Sequence, residues 1–329
     1  MPLPEKELVS QIRKMVGIPA RGSAGAAGSI LTGIGDDCAV LRPPSGRNLL
    51  ITTDFTLEGV HFRREWHPAE SVGHRCVARG LSDIAAMGGE AVAIFLSLAL
   101  PKDVGQSWVN GFIRGLTTLA RKYGATLAGG DTAQSPAGIL ADIIVVGTVP
   151  KGRAILRSGA KAGDRIFVSG ELGGSAAAVL QMERKPKAKL NPREYPRHFY
   201  PEPRIELGRV LREKTLASAM IDTSDGLSTD LAHILEESRV GAEIDEDLIP
   251  RARVGRPARE IELDLALHGG EDYELLLTAR PGKHVPNRLA GIPLTEIGRI
   301  TPARRMLLRN GDGGLRKLAV RGWEHFRKS

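Results

Sequence analysis

The stretch that most limits what this chain can become is Ile221-Asp222-Thr223-Ser224-Asp225-Gly226. Ala219, Met220 and Ile221 lead into it as the end of a buried strand. Leu227, Leu231, Ile234 and Leu235, spaced i, i+4, i+7 and i+8, predict a helix after it, stopped at Val240-Gly241. Asp222 and Asp225 therefore sit where a strand hands over to a helix N-terminus. Free N–H groups at such a terminus attract phosphate, whereas two carboxylates repel it. Both fit one site only with a hard cation between them. The alternative is an ordinary Asp or Ser N-cap followed by a turn glycine.

Similar junctions of carboxylate and glycine recur. They are Gly33-Ile34-Gly35-Asp36-Asp37, Thr52-Thr53-Asp54, Leu81-Ser82-Asp83, Gly129-Gly130-Asp131 and Gly269-Gly270-Glu271-Asp272. Several directly follow apolar β-type runs, and open α/β sheets bind ligands at the carboxyl ends of their strands. The repetition points to a carboxylate-lined site. Thr52 and Thr53 beside Asp54 add hydroxyl and carbonyl oxygens, the hard donors that Mg²⁺ takes.

Between these junctions the pattern alternates. Helices are expected at Glu5 to Val16, Pro68 to Met87, around Trp108 to Tyr123, and at Arg204 to Lys214. Strands are expected at Leu49 to Ile51, Ala91 to Leu100, Ala125 to Ala128, Ile139 to Val149, Arg165 to Ser169 and Glu274 to Thr278. Alternation of this kind means an α/β or α+β fold. A break near Pro150-Lys151-Gly152-Arg153 divides it into domains 1–150 and 151–329. Asp83 falls inside a predicted helix among Ala and Ile, so it needs a partner, and a metal ion is a natural one. Gly170-Glu171-Leu172-Gly173-Gly174-Ser175, between a strand and an Ala-rich helix, reads as a phosphate-friendly unit, although it is neither a G-x-G-x-x-G nor a Walker A motif. Residues 21–32 read either as a lid or as a linker.

Composition narrows the function classes. The chain has 329 residues, of which 42% are hydrophobic, enough for two domains with real cores. No apolar run approaches the roughly 18 residues of a membrane span, and the first residues lack the form of a signal peptide. Cys38 and Cys76 have neither disulfide-framework nor metal spacing and read as small core side chains. The expected setting is cytoplasmic. The net charge of +8 raises the question of nucleic acid, but only 4% of residues are aromatic and no nucleic-acid-binding signature is present. A nucleic-acid module would also leave the ordered aspartates unexplained, so neither nucleic acid nor membrane is an expected partner.

In their order, the motifs resemble those of the thiamine-monophosphate kinases, in the superfamily of aminoimidazole ribonucleotide synthetase. Besides the junctions above, the matching pieces are Glu58-Gly59-Val60-His61-Phe62, Ile84-Ala85-Ala86-Met87-Gly88 after Asp83, Arg157-Ser158-Gly159-Ala160 and Tyr273-Glu274. Ala78-Arg79-Gly80 departs from the pattern, standing where the family more often has a Val-Asn pair. The reactive Cys of selenophosphate synthetases is absent from residues 21–32, and the C-terminal Cys of hydrogenase-maturation factors is absent from Arg327-Lys328-Ser329.

The resemblance implies a two-domain fold with an N-terminal sheet that pairs in a homodimer and a C-terminal α/β domain, with the site in a cleft between the domains. It implies phosphorylation of thiamine monophosphate by ATP with several Mg²⁺ ions. Carried over by position, Asp36, Thr52, Thr53, Asp54, Asp83, Asp131, Asp222 and Asp225 would hold metal, with Asp37 either a second ligand or a turn former. Turnover would depend on Asp222, Asp225 and Asp54. Gly130, Asp131, Arg157 and Ser224 would contact the nucleotide. His61, Glu271 and Trp323 would contact the thiamine phosphate. For two of these the residues allow a second role: His61 as a structural histidine and Trp323 as a core plug. Asp272 and Tyr273 are expected either to join the contacts or to hold the loop in shape.

Overall fold

The computed structural model describes residues 3, 5–16, 30–32 and 40–323. Asp36, Asp37, Cys38 and most of the Gly-Ala-Ser stretch lie outside the described residues. The chain forms two compact units, Met1–Ile84 with Gly89–Arg153, and Ala85–Gly88 with Ala154–Ser329.

The first unit runs α1 (Glu5–Val16), β1 (Ile30–Thr32), β2 (Val40–Leu41), β3 (Arg47–Leu57), α2 (Ala69–Ala86), β4 (Glu90–Leu100), α3 (Gln106–Lys122), β5 (Thr126–Gln134) and β6 (Leu140–Pro150). Its main sheet has the order β3-β6-β4-β5, antiparallel except for β4 and β5. Side chains alternate between the two faces. Leu50, Thr56, Leu96, Leu98, Ile143 and Val145 are buried on one face. Helix α2 lies on that face, so close that a Cβ on Gly80 would stand 2.5 Å from the Val145 side chain. On the other face β3 leaves Leu49, Ile51 and Phe55 45%, 67% and 54% exposed.

Glycines also set the approach of α2 to α3. A Cβ on Gly73 would lie 1.9 Å from the Phe112 carbonyl oxygen, and one on Gly115 would lie 1.9 Å from that of Glu70. The two helices touch backbone to backbone, and no side chain fits between them there.

The second unit runs β7 (Arg165–Ser169), α4 (Gly174–Arg184), α5 (Pro196–Phe199), α6 (Ile205–Glu213), β8 (Ala219–Asp222), α7 (Leu227–Ser238), β9 (Gly241–Asp245), β10 (Arg253–Val254), β11 (Arg259–Glu260), α8 (Leu263–His268), β12 (Leu275–Ala279), β13 (Arg288–Leu289), β14 (Ile292–Thr301), β15 (Met306–Arg309) and β16 (Leu315–Lys317). Its large sheet has the order β16-β15-β9-β14-β7-β12-β8, with β13 paired to β14. β8 ends this path and carries Asp222 as its last residue. Leu227, Leu231, Ile234 and Leu235 of α7 are all buried in a core shared with Ile221, Leu276 and Ile244 of the sheet. Burial of such side chains contributes about 1.5–3 kcal/mol each. That contribution holds a twelve-residue helix, marginal by itself, on the sheet and so fixes where its N-terminus points.

The α2–α3 contact generates a stability prediction. Gly115→Ala gains about 1 kcal/mol of helix propensity but must push two backbones apart, an overpacking that costs about 1–3 kcal/mol. Urea unfolding should show a net loss. A gain would mean that the helices are free to separate.

Candidate active site

Helix α7 begins at Leu227, and its cap position is Gly226, with no side-chain cap hydrogen bond. Asp222, Ser224 and Asp225 therefore do not serve as its cap. Gly226 has φ +112°, and a Cβ there would meet the His268 carbonyl group at 2.8 Å, so no other residue fits. The Gly226 N–H is taken from inside the helix by Asp230 Oδ2 at 3.0 Å. Asp230 is 1% exposed, and its Oδ1 has no hydrogen-bond partner among the described residues. Burial, then the charges of Asp222 and Asp225, push its pKa well above the usual carboxylate range. Three carboxylates thus gather at one strand–helix turn.

The loop after α8 continues the pairing of β8 with β12 beyond the ends of both strands. Thr223 N–H donates to the Glu274 carbonyl at 2.8 Å, Tyr273 N–H to that of Thr223 at 2.9 Å, and Glu271 N–H to that of Ser224 at 2.8 Å. Glu271 and Tyr273 hold φ of +64° and +53°, a conformation that costs non-glycine residues about 1–3 kcal/mol each. A Cβ on Gly270 would stand 2.4 Å from the Ser224 carbonyl oxygen. The loop is thereby laid against the Ser224–Asp225 backbone, with Glu271 beside it. Glu274 is fully buried and accepts from Arg197 at 2.9 Å, from Ser169 at 2.5 Å, and from Arg204 Nε at 2.7 Å.

Asp272 takes up the N-terminus of α4. Its carboxylate accepts from Gly173 N–H at 2.5 Å and Ser175 N–H at 3.2 Å. The strand–glycine–helix unit expected to suit phosphate is thus filled by the protein's own carboxyl group. Asp272 and the buried Tyr273 shape the loop.

In the first unit the alternation of β3 separates neighbouring candidates. Thr52 and Asp54 share the face covered by α2, where the Thr52 hydroxyl donates to Asp83. Thr53 faces the other way, and its hydroxyl donates to Asp142 at 2.7 Å. A bulge between Ile94 and Phe95 lets β5 run on to Gln134 instead of stopping at Ala128. Gly130 makes this possible, with φ +152° and a would-be Cβ 2.0 Å from the Leu96 carbonyl oxygen. The register puts Asp131 beside Ser97, which stands opposite Asp142, on the face away from Asp54. So Thr52 meets Asp83, with Asp54 on the same face, while Thr53 and Asp131 share the opposite face.

Three further residues were expected at the site. His61 Nδ1 accepts from the Leu57 N–H at 3.0 Å and closes the turn after β3. The Arg157 carbonyl is held by Ser238 Oγ at 3.2 Å, near the far end of α7 from the Asp225 turn, and its side chain is exposed. Trp323 is 53% exposed, not a core plug, and its N–H donates to the Asp225 carbonyl at 2.9 Å.

Comparison with known proteins adds the family. Residues 35–149 match the N-terminal domain, and residues 161–308 the C-terminal domain, of the AIR synthase related proteins. The thiamine-monophosphate kinase of Escherichia coli (strain K12) is 41% identical over 306 residues, 89% of this chain and 91% of that protein. The crystal structure of the thiamine-monophosphate kinase from Stenotrophomonas maltophilia K279a is 34% identical with a TM-score of 0.77, over 95% of this chain and 98% of that one. The structure of AaThiL complexed with AMPPCP and TMP is 29% identical with a TM-score of 0.75, over 99% of this chain and 100% of that one. The chain belongs to the thiamine-monophosphate kinase family.

Sequence reasoning alone missed two features of this kinase-family chain. Asp230 carried a usable signal, since it lies four residues after Gly226 and one turn of helix brings it back over the turn. Arg79, at the position where the chain departs from the family pattern, donates to the Phe55 carbonyl of β3 and ties α2 to the strand that carries Asp54.

Asp272 supports a pH prediction. Burial pushes it up to about 7, against the pull of the Gly173 and Ser175 N–H groups. The folded state therefore binds a proton that the unfolded chain has already lost, and stability falls as pH rises from about 4 to about 7. Compared with Asp272→Asn, the wild type should lose relative stability across that window and run parallel to the variant above it. Denaturant midpoints measured from pH 4.5 to 8.5 test this, and a constant difference would exclude a raised pKa.

Proposed function

We propose that this chain transfers the γ-phosphoryl group of ATP to thiamine monophosphate, giving thiamine diphosphate by direct in-line displacement with Mg²⁺. The observation that carries the reading is the turn of three carboxylates, Asp222, Asp225 and Asp230, with Gly226 as the cap. The names of the similar kinases and the AMPPCP and TMP bound by AaThiL support the same substrates. The acceptor phosphate has a second pKa of about 6, so it is already largely ionised at neutral pH and needs no strong general base. The obstacle is repulsion between two anionic phosphates.

The donors suit a hard divalent cation. They are carboxylate, hydroxyl or carbonyl oxygens, and Asp230 Oδ1 is buried without a donor. When bound, Mg²⁺ would neutralise and align the reacting phosphates. Of the several Mg²⁺ ions in this reading, Thr52, Asp54 and Asp83 would serve on one face of the first unit's sheet and Asp131 on the other, Asp222 and Asp225 would serve in the second unit, and Asp36 and Thr53, the latter through its carbonyl oxygen, would also hold metal. Among the described residues no group of three or more His, Cys, Asp or Glu could hold a metal ion. Mg²⁺ keeps several waters and takes one or two carboxylates plus substrate phosphates, so a larger protein cage is unnecessary. Gly130, Asp131, Arg157 and Ser224 would contact the nucleotide, and His61, Glu271 and Trp323 the thiamine phosphate.

The same reading includes a metal- and ATP-binding domain at 1–150, an α/β domain at 151–329 and a cytoplasmic setting. Among the described residues no helix is long and apolar enough to cross a membrane. It also includes a homodimer through the first unit's sheet, supported by Leu49, Ile51 and Phe55, which expose one apolar row on β3.

Three experiments test these points. Purified protein should form thiamine diphosphate and ADP from ATP and thiamine monophosphate only with divalent metal, with free thiamine inert. Asp222→Asn should keep its unfolding curve and lose at least about a thousandfold in kcat, as expected when several kcal/mol of charge neutralisation go. A near-normal rate would sink the metal assignment. Sedimentation should find a dimer that Ile51→Asp converts to a folded monomer; an unchanged mass would remove β3 from the interface.

A further inference from the structure

We propose that Arg321, with Asp264 and His268, forms a clasp that positions Trp323 for the thiamine phosphate, making Arg321 a positioning residue on the acceptor side. The proposal rests on the kinase reading above. After β16 the chain turns back over the N-terminus of α7. Gly322 N–H donates to Thr229 Oγ1 at 3.1 Å. Gly322 lies so close to the turn that a Cβ would stand 2.2 Å from the Asp225 carbonyl oxygen. Trp323 follows, tied to that same oxygen by its N–H at 2.9 Å. The backbone is thus fixed on the turn while the ring stays half exposed.

Arg321 holds this segment from the side. Its Nε donates to His268 Nε2 at 3.2 Å, and its Nη2 donates to Asp264. A guanidinium has donors only, so His268 Nε2 is the acceptor. The ring proton is then on Nδ1, where it is donated to Ser228 Oγ at 2.8 Å. Burial, together with the Arg321 charge, keeps the His268 pKa below its ordinary range, which favours the neutral ring this arrangement requires. Ser228 is the second residue of α7, so the clasp is anchored two residues beyond Gly226. His268 is also the residue whose carbonyl group crowds Gly226.

An alternative is that these contacts only stitch the C-terminal segment down. Side chains of Arg321 and Asp264 are 53% and 68% exposed, and ion pairs so exposed add little to stability. A stitch of that kind would leave little trace on removal. A positioning role would appear in substrate binding instead.

The test is steady-state kinetics with ATP and thiamine monophosphate, run with thermal unfolding. Arg321→Ala should raise KM for thiamine monophosphate by about tenfold, the scale of one aromatic–cation contact, and leave KM for ATP and the unfolding midpoint unchanged. Arg321→Lys should restore part of the loss. Trp323→Ala should show the same acceptor-side rise, and the double variant should be no worse than Trp323→Ala, because both act through one ring. If Trp323→Ala raises KM for thiamine monophosphate but Arg321→Ala does not, or if Arg321→Ala moves both KM values together, the clasp is overturned and the Trp323 contact stands. If Trp323→Ala leaves that KM unchanged while turnover persists, the Trp323 contact and the clasp fall together and the kinase reading survives.

Discussion

Everything at the candidate site of the second unit depends on the backbone pairing between the Asp222 turn and the Glu271 loop. Three hydrogen bonds beyond the ends of β8 and β12 lock two turns into one rigid piece. The lock holds Glu271 and Tyr273 in left-handed conformations whose cost is about 1–3 kcal/mol each. Net hydrogen bonds at about 1 kcal/mol apiece roughly match that cost, and buried Glu274, held by Arg197 and Arg204, fixes the base of the loop. Strain of this kind persists only where the surroundings over-determine it, and here they do so from both sides of Asp272.

The distribution of charge follows from the same lock. A chain with a net charge of +8 nevertheless places Asp222, Asp225 and Asp230 at one turn, where the charges of Asp222 and Asp225 disfavour ionisation of Asp230. Asp230 bears most of that cost, being the most buried of the three. Folding itself holds these side chains together, so their arrangement is complete before any ligand arrives. Arginine is used differently. Arg197 and Arg204 neutralise Glu274, and Arg79 bridges α2 to β3, so these guanidinium groups hold the scaffold.

Local patterns were legible in the sequence. The stripe Leu227, Leu231, Ile234 and Leu235 reports one helix face, and α7 starts where that stripe predicts. The order of the carboxylate–glycine junctions identified the family. What stayed hidden depends on partners far apart in the chain. Asp272 caps a helix that begins about a hundred positions earlier, which turned an apparent phosphate site into an internal one. The run of β5 past Gly129-Gly130 depends on a bulge opposite β4, because glycines at a sequence junction read as a stop until a neighbouring strand is seen to need their missing side chains.

The alternation of β3 also constrains how a Thr-Thr-Asp run can serve one ion. Successive side chains leave a strand on opposite faces, so Thr52 and Asp54 can converge with Asp83 while the Thr53 hydroxyl turns to Asp142. Resemblance by position carries a residue's identity between relatives, and pleating decides which of its atoms can act. In this chain the Thr52 hydroxyl lies on the side of Asp54, and the Thr53 hydroxyl does not.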